Sequence, residues 1–295
     1  MSATYQVVHR TRYEYDDEVS ASYGRMHLLP RTTPGQDCDG ATLTVDPPPD
    51  VVTEHRDYFG NRSSYFEVTV PHRALQVTST STVTVHGRSG DHPLSRYDAP
   101  WERVRDGLDA GDDDPVAARE FTRPSPLVTA SPALSAYAAG SFPAGRPIRA
   151  CLTDLLTRIH TDFRYEPGVT TVTTTLDEVL RQRRGVCQDF SHLMIGGLRS
   201  LGLAARYVSG YVETRPPPGG SRLQGVDASH AWVSVALPGV GWLDLDPTND
   251  QVVDDRYVTT AWGRDYGDVP PLKGVIFTES AESSLQVYVD MVRQD

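Results

Sequence analysis

The sequence predicts an α+β protein, and three observations carry that prediction. Residues 4–87 alternate apolar and polar positions in short runs between strong turn formers, which is the period of half-buried strands. From residue 148 the apolar residues recur at three- and four-residue intervals, which is the period of a helix packed on a core. After Gly202 the period returns to two.

Taken in order, the runs at 5–15, 42–45, 64–70 and 75–85 are separated by breakers such as Asp46-Pro47-Pro48-Pro49-Asp50 and Phe59-Gly60-Asn61. Residues 77–83 carry β-branched side chains at their spaced positions. Residues 1–88 are therefore expected to form an all-β sandwich domain. Its histidines, His9, His27, His55, His72 and His86, lack metal-ligand spacing. A connector over 89–146 follows, punctuated by Pro and Gly, with the acidic run Asp112-Asp113-Asp114 and short helical pieces such as 133–139.

The segment 147–270 reads as a catalytic core. Ile148, Leu152, Leu155, Leu156 and Ile159 mark one helix, and 176–183 a shorter one. A third opens at Gly185-Val186-Cys187, carries Leu193, Met194, Leu198 and Leu201, and stops at Gly202. Strands are expected at 204–213, 230–236 and 242–246, with Pro216-Pro217-Pro218-Gly219-Gly220 as a loop and Pro238-Gly239-Val240-Gly241 as a hairpin turn. Two strand-like runs at 274–277 and 285–292 close the chain within a C-terminal segment, 271–295, whose order in space the pattern leaves open.

Composition narrows the function. With 28 basic and 39 acidic residues the net charge is −11, which repels polyphosphate and anionic membrane, so neither nucleic acid nor a membrane is an expected partner. No run of 18 apolar residues and no basic-then-apolar leader is seen, which suggests a cytoplasmic location. Cys38, Cys151 and Cys187 are odd in number and widely spaced, as free thiols in a reducing compartment would be. Gly239-Val240-Gly241 lacks the rest of a dinucleotide fingerprint and no phosphate-loop lysine pattern exists, so no cofactor is expected. Oligomeric state stays open.

The chemistry concentrates on one cysteine. Arg184-Gly185-Val186-Cys187 puts a sulfur at the first turn of a helix, where unpaired N–H groups stabilise negative charge on the sulfur or on an oxyanion. A thiolate nucleophile needs a base that takes and returns a proton, and His230, at the head of the apolar strand Ala231-Trp232-Val233-Ser234-Val235, is the best candidate. The next strand offers Asp244 and Asp246 to hold the imidazole tautomer. Both carboxylates point to the same side, and Pro247, which ends the ladder, favours Asp246.

Four segments resemble the transglutaminase-like superfamily. Gly185-Val186-Cys187-Gln188-Asp189-Phe190-Ser191-His192-Leu193 is similar to its cysteine helix, and Leu201-Gly202-Leu203-Ala204-Ala205-Arg206-Tyr207-Val208-Ser209-Gly210-Tyr211 to the strand after it. Ser229-His230-Ala231-Trp232-Val233 and Gly241-Trp242-Leu243-Asp244-Leu245-Asp246-Pro247-Thr248-Asn249 resemble its histidine and aspartate strands. Residues 5–31 are similar to the β-rich N-terminal region of bacterial members. The resemblance implies a papain-like cysteine core, with Cys187 as nucleophile, His230 as base and Asp246 as the orienting acid, and a peptide or protein amide as substrate. An amine acceptor, water as acceptor, and a silent peptide-binding module remain alternatives. Tyr165 is the candidate aromatic support for the oxyanion. Asp189 and His192 are expected to make structural hydrogen bonds, and Trp232 and Trp242 either line an acyl-donor cleft or belong to the core.

Overall fold

A computed structural model describes residues 2–87, 97–108, 115–214, 228–279 and 282–294 of the 295. The acidic run 112–114 and the loop 216–220 lie outside the described residues. The chain runs β1 (Ala3–Met26), β2 (Gln36–Asp46), β3 (Val51–Arg56), β4 (Arg62–Val68) and β5 (His72–Val85). Four helices follow, α1 (Trp101–Asp106), α2 (Pro115–Glu120), α3 (Pro132–Ala139) and α4 (Ile148–Asp162). Next come β6 (Arg164–Tyr165), α5 (Leu176–Gln182), β7 (Arg184–Gly185) and α6 (Cys187–Ser200). The chain ends with β8 (Ala205–Val212), β9 (Ala228–Leu237), β10 (Gly241–Asp246), β11 (Gln251–Val252), β12 (Tyr257–Gly263), β13 (Leu272–Thr278) and β14 (Ser283–Arg293). The α+β class is as expected.

The N-terminal strands build one curled seven-stranded sheet around β1, which is 24 residues long. Its first half pairs with β5 on one edge and β14 on the other, for example Val7↔Ser81 and Val7↔Met291. Its second half pairs with β4 and β13, for example Gly24↔Phe66 and Gly24↔Gly274. The C-terminal strands, whose position the pattern left open, thus complete the sheet that the N-terminus begins. Two clusters fill its concavity. Tyr15, Val19, Met26, Phe66 and Val77 pack at one end; Tyr5, Val7, Val83, Val289 and Met291 pack at the other, against Tyr211 of β8 and Val258 of β12.

The second sheet has the order β11-β10-β9-β8-β12 and is antiparallel throughout. Helix α6 lies against it with its face of Phe190, Leu193, Met194, Ile195 and Leu198, while α3, α4 and α5 contribute Leu134, Leu152, Leu155 and Val179 to the same core. The helical period read from residue 148 onward is the signature of this layer. β8 and β9 are buried at nearly every described position, so their side chains have no solvent face.

Gly210 shows how closely this layer is packed. A Cβ there would sit 2.1 Å from the Val258 carbonyl oxygen and 2.4 Å from the Trp232 ring. Neither neighbour can withdraw, because one is backbone and the other has no exposed surface. Replacing Gly210 with Ala should therefore destabilise the fold by at least about 2 kcal/mol, the upper part of the range for overpacking. Urea denaturation measures this, and an unchanged midpoint would mean that β8 and β12 are not held this close.

Candidate active site

Helix α6 begins at Cys187, and its opening turn is tied down by Asp189. The Asp189 carboxylate accepts the Val186 N–H at 2.8 Å and the Thr170 hydroxyl at 2.7 Å. Gly185 is required beside it, since a Cβ there would lie 2.6 Å from Asp189 Oδ2. The first-turn amides of Cys187 and Gln188 have no i−4 carbonyl, and these residues line a cleft of about 270 Å³. Asp189 thus has the structural role expected of it. His192 has one too: its Nε2 accepts the Tyr266 N–H at 3.1 Å, and burial pushes its pKa down to about 4, which keeps the ring neutral.

His230, on β9, shares that cleft with Cys187. Its Nε2 donates to Asp246 Oδ2 at 2.7 Å, which leaves Nδ1 as the ring nitrogen available to Cys187 across the shared cleft. Burial disfavours charge on the imidazole. The hydrogen bonds to Asp246 and Cys187 and the negative charges on those groups outweigh it, and push the His230 pKa up to about 10.

Asp246 is fully buried. Its Oδ1 accepts the backbone N–H of Thr248 at 2.9 Å and of Asn249 at 3.2 Å. Its Oδ2 accepts from Tyr257 Oη at 2.6 Å and Asn249 Nδ2 at 2.6 Å as well as from His230. Burial raises a carboxylate pKa, yet these donors hold Asp246 below its ordinary value near 3.8. One carboxylate therefore caps the turn after β10 and binds the imidazole. Asp244, two residues earlier, lies in a different depression beside Arg206 and Trp242.

The structure brings Tyr165 next to Cys187 through a short parallel pairing, Tyr165↔Gly185. Burial raises the Tyr165 hydroxyl pKa, and negative charge on Cys187 adds to the effect. Trp232 belongs to the core, with no exposed surface and its ring 5.3 Å from that of Tyr257. Trp242 packs against Phe121 and under the Arg206 guanidinium, away from the Cys187 cleft. Sequence reasoning missed Tyr257 as a partner of Asp246. A tyrosine at the head of a run of buried strand residues, ten positions past the Asp246-Pro247 step, was the available signal.

Comparison with known proteins gives matches over both halves of the chain. The model of the bacterial transglutaminase-like N-terminal region matches residues 5–84, and that of the transglutaminase-like superfamily matches residues 145–247. An uncharacterized protein of Mycobacterium tuberculosis is 48% identical over 98% of this chain and 92% of its own. The protein-glutamine gamma-glutamyltransferase of Pseudomonas aeruginosa is 36% identical over 37% of this chain and 17% of its own length. A solved structure from Cytophaga hutchinsonii, described as a candidate cysteine protease, superposes with a TM-score of 0.78 over 100% of this chain and 92% of that one, at 21% identity.

The two shifted groups define a pH window. Asp246, held below 3.8, contributes stability that is present above about pH 4 and is lost as pH falls through its native pKa. His230, raised from 6.5 to about 10, contributes stability that is present below 6.5 and is lost as pH rises through 10. The stability advantage over Asp246→Asn should therefore be largest between roughly pH 4 and 6.5 and narrow on both sides. Urea midpoints of both proteins from about pH 3 to about pH 10 test it, and a difference independent of pH would mean the pair titrates alike in the folded and unfolded chains.

Proposed function

Since the chain belongs to the transglutaminase-like superfamily, we propose that it is a cysteine enzyme that transfers the acyl group of a peptide-type amide through a thioester on Cys187. The observation that carries this reading is the position of His230 between Cys187 and the buried Asp246 carboxylate, in a cleft open to a substrate. Binding alone needs none of the three, which disfavours a silent module.

The steps follow from these groups. The Cys187 thiolate attacks the amide carbonyl carbon, and the negative charge moves to the oxygen, where the first-turn amides of α6 can receive it. As the C–N bond breaks, the His230 imidazolium gives its proton to the departing nitrogen, leaving a thioester and a neutral ring. The neutral ring then takes a proton from the acceptor, an amine or water, as that nucleophile attacks the thioester. Release of the thiolate restores the imidazolium–thiolate pair. Asp246 keeps Nδ1 directed at the sulfur and favours the charged ring, and Tyr257 and Asn249 hold the carboxylate in place.

A glutamine side-chain carboxamide is the donor we favour, supported by the Pseudomonas aeruginosa relative's name. The test is incubation with glutamine-containing peptides and a primary amine, followed by mass spectrometry and ammonia assay. Ammonia release with amine incorporation is the expected result; cleavage of the peptide backbone would reassign the reaction to a peptidase. Cys187→Ala should fold and lose turnover. Asp246→Asn should lower kcat by at least about 10²-fold and Asp244→Asn by less than about tenfold. The reverse ranking would move the orienting role to Asp244.

A further inference from the structure

We infer that the curled N-terminal sheet is part of the substrate site: β14 and the facing stretch of β1 form an uncharged subsite beside Cys187 for an extended, aliphatic peptide segment of the acyl donor. This rests on the proposed role of Cys187. The alternation along β1 supports it. Its inward side chains run Tyr5, Val7, His9, Thr11, Tyr13, and the first two enter the core with Val289 and Met291. The next three line the same cleft as Cys187 and His230.

β14 changes character at the same level. Val289 and Met291 are 2% and 0% exposed, whereas Val287 and Leu285, paired with Thr11 and Tyr13, are 51% and 55% exposed and face the cleft. The inward row of β14 therefore leaves the core and continues as an apolar wall beside the reactive sulfur. Leu272 extends that wall.

The wall also selects by charge. No Lys, Arg, Asp or Glu is found among the described residues that line the cleft. His9 adds no charge at neutral pH, because burial pushes its pKa down to about 4 and its Nε2 shares a 2.8 Å hydrogen bond with Thr11 Oγ1. A charged side chain seated against the β1 and β14 residues, away from the Cys187–His230 pair, would meet no charged partner there, and an aliphatic one needs none. Continuity with the Cys187 cleft argues that the occupant is the donor itself, since the wall borders the sulfur that the donor amide must reach.

Cysteine-directed electrophiles test this without needing turnover. The rate of Cys187 alkylation is measured by peptide mapping with iodoacetamide, with an N-chloroacetylated tetrapeptide of Val and Leu, and with one of Asp and Lys. Wild-type protein should favour the aliphatic peptide by at least about tenfold, a difference that a few buried methylenes supply. In Leu285→Glu/Val287→Glu the ratio of the aliphatic-peptide rate to the iodoacetamide rate should fall by at least about tenfold, and Leu285→Ser/Val287→Thr should fall in the same direction with less perturbation. Equal rates for the two peptides, or a ratio unmoved in both variants, would overturn the subsite. Failure of iodoacetamide to single out Cys187 over Cys38 and Cys151 would instead overturn the nucleophile assignment on which the subsite rests.

Discussion

A carboxylate with no exposed surface is costly unless every lone pair finds a donor, and the arrangement around Asp246 meets that requirement. Five donors converge on it: two backbone amides of the turn after β10, the Asn249 amide, the Tyr257 hydroxyl and the His230 ring. They come from three local structures. The turn follows Pro247, Tyr257 stands at the head of β12 and His230 near the head of β9, so the carboxylate ties three parts of the second sheet together. Removing its charge would leave those donors facing a weaker acceptor and the imidazole without the group that favours its charged form.

The rest of the site depends on that tie. The His230 ring is oriented by the contact of its Nε2 with Asp246, and Asp189 fixes the first turn of α6, which carries Cys187. Gly185 allows Asp189 to close in, and Gly210 leaves room on β8 for the ring of Trp232, two residues after His230 on β9. The curled sheet supplies the opposite wall. Its strand β1 is continuous from the core cluster of Tyr5 and Val7 to the cleft residues Thr11 and Tyr13, so the packing that anchors the sheet also sets the width of the cleft.

Much of this was legible in the sequence because it is local. The helix opening at Cys187, the strand headed by His230 and the ladder ending at Pro247 each announce themselves within ten residues, and Pro247 already pointed to Asp246 over Asp244. β12 was not read: Tyr257 through Ala261 are buried on both faces, so no alternation marks them. β3 escaped for the opposite reason, since all six of its residues are exposed. The pairing of β13 and β14 with β1 joins residues more than 240 positions apart, and no local pattern encodes such a partner. Trp232 illustrates a further gap, because an indole in the core and one in a cleft have the same sequence signature until Gly210 and Tyr257 are placed around it.

The proposed chemistry requires that Cys187 carry the acyl group. Acid quenching during turnover of a glutamine-containing peptide, followed by intact-mass analysis and peptide mapping, addresses it directly. Intact mass should reveal a protein species heavier by the donor less one ammonia, located on the peptide containing Cys187 and discharged by hydroxylamine as a thioester is. Turnover with no such species, or an adduct on any other residue, would contradict it.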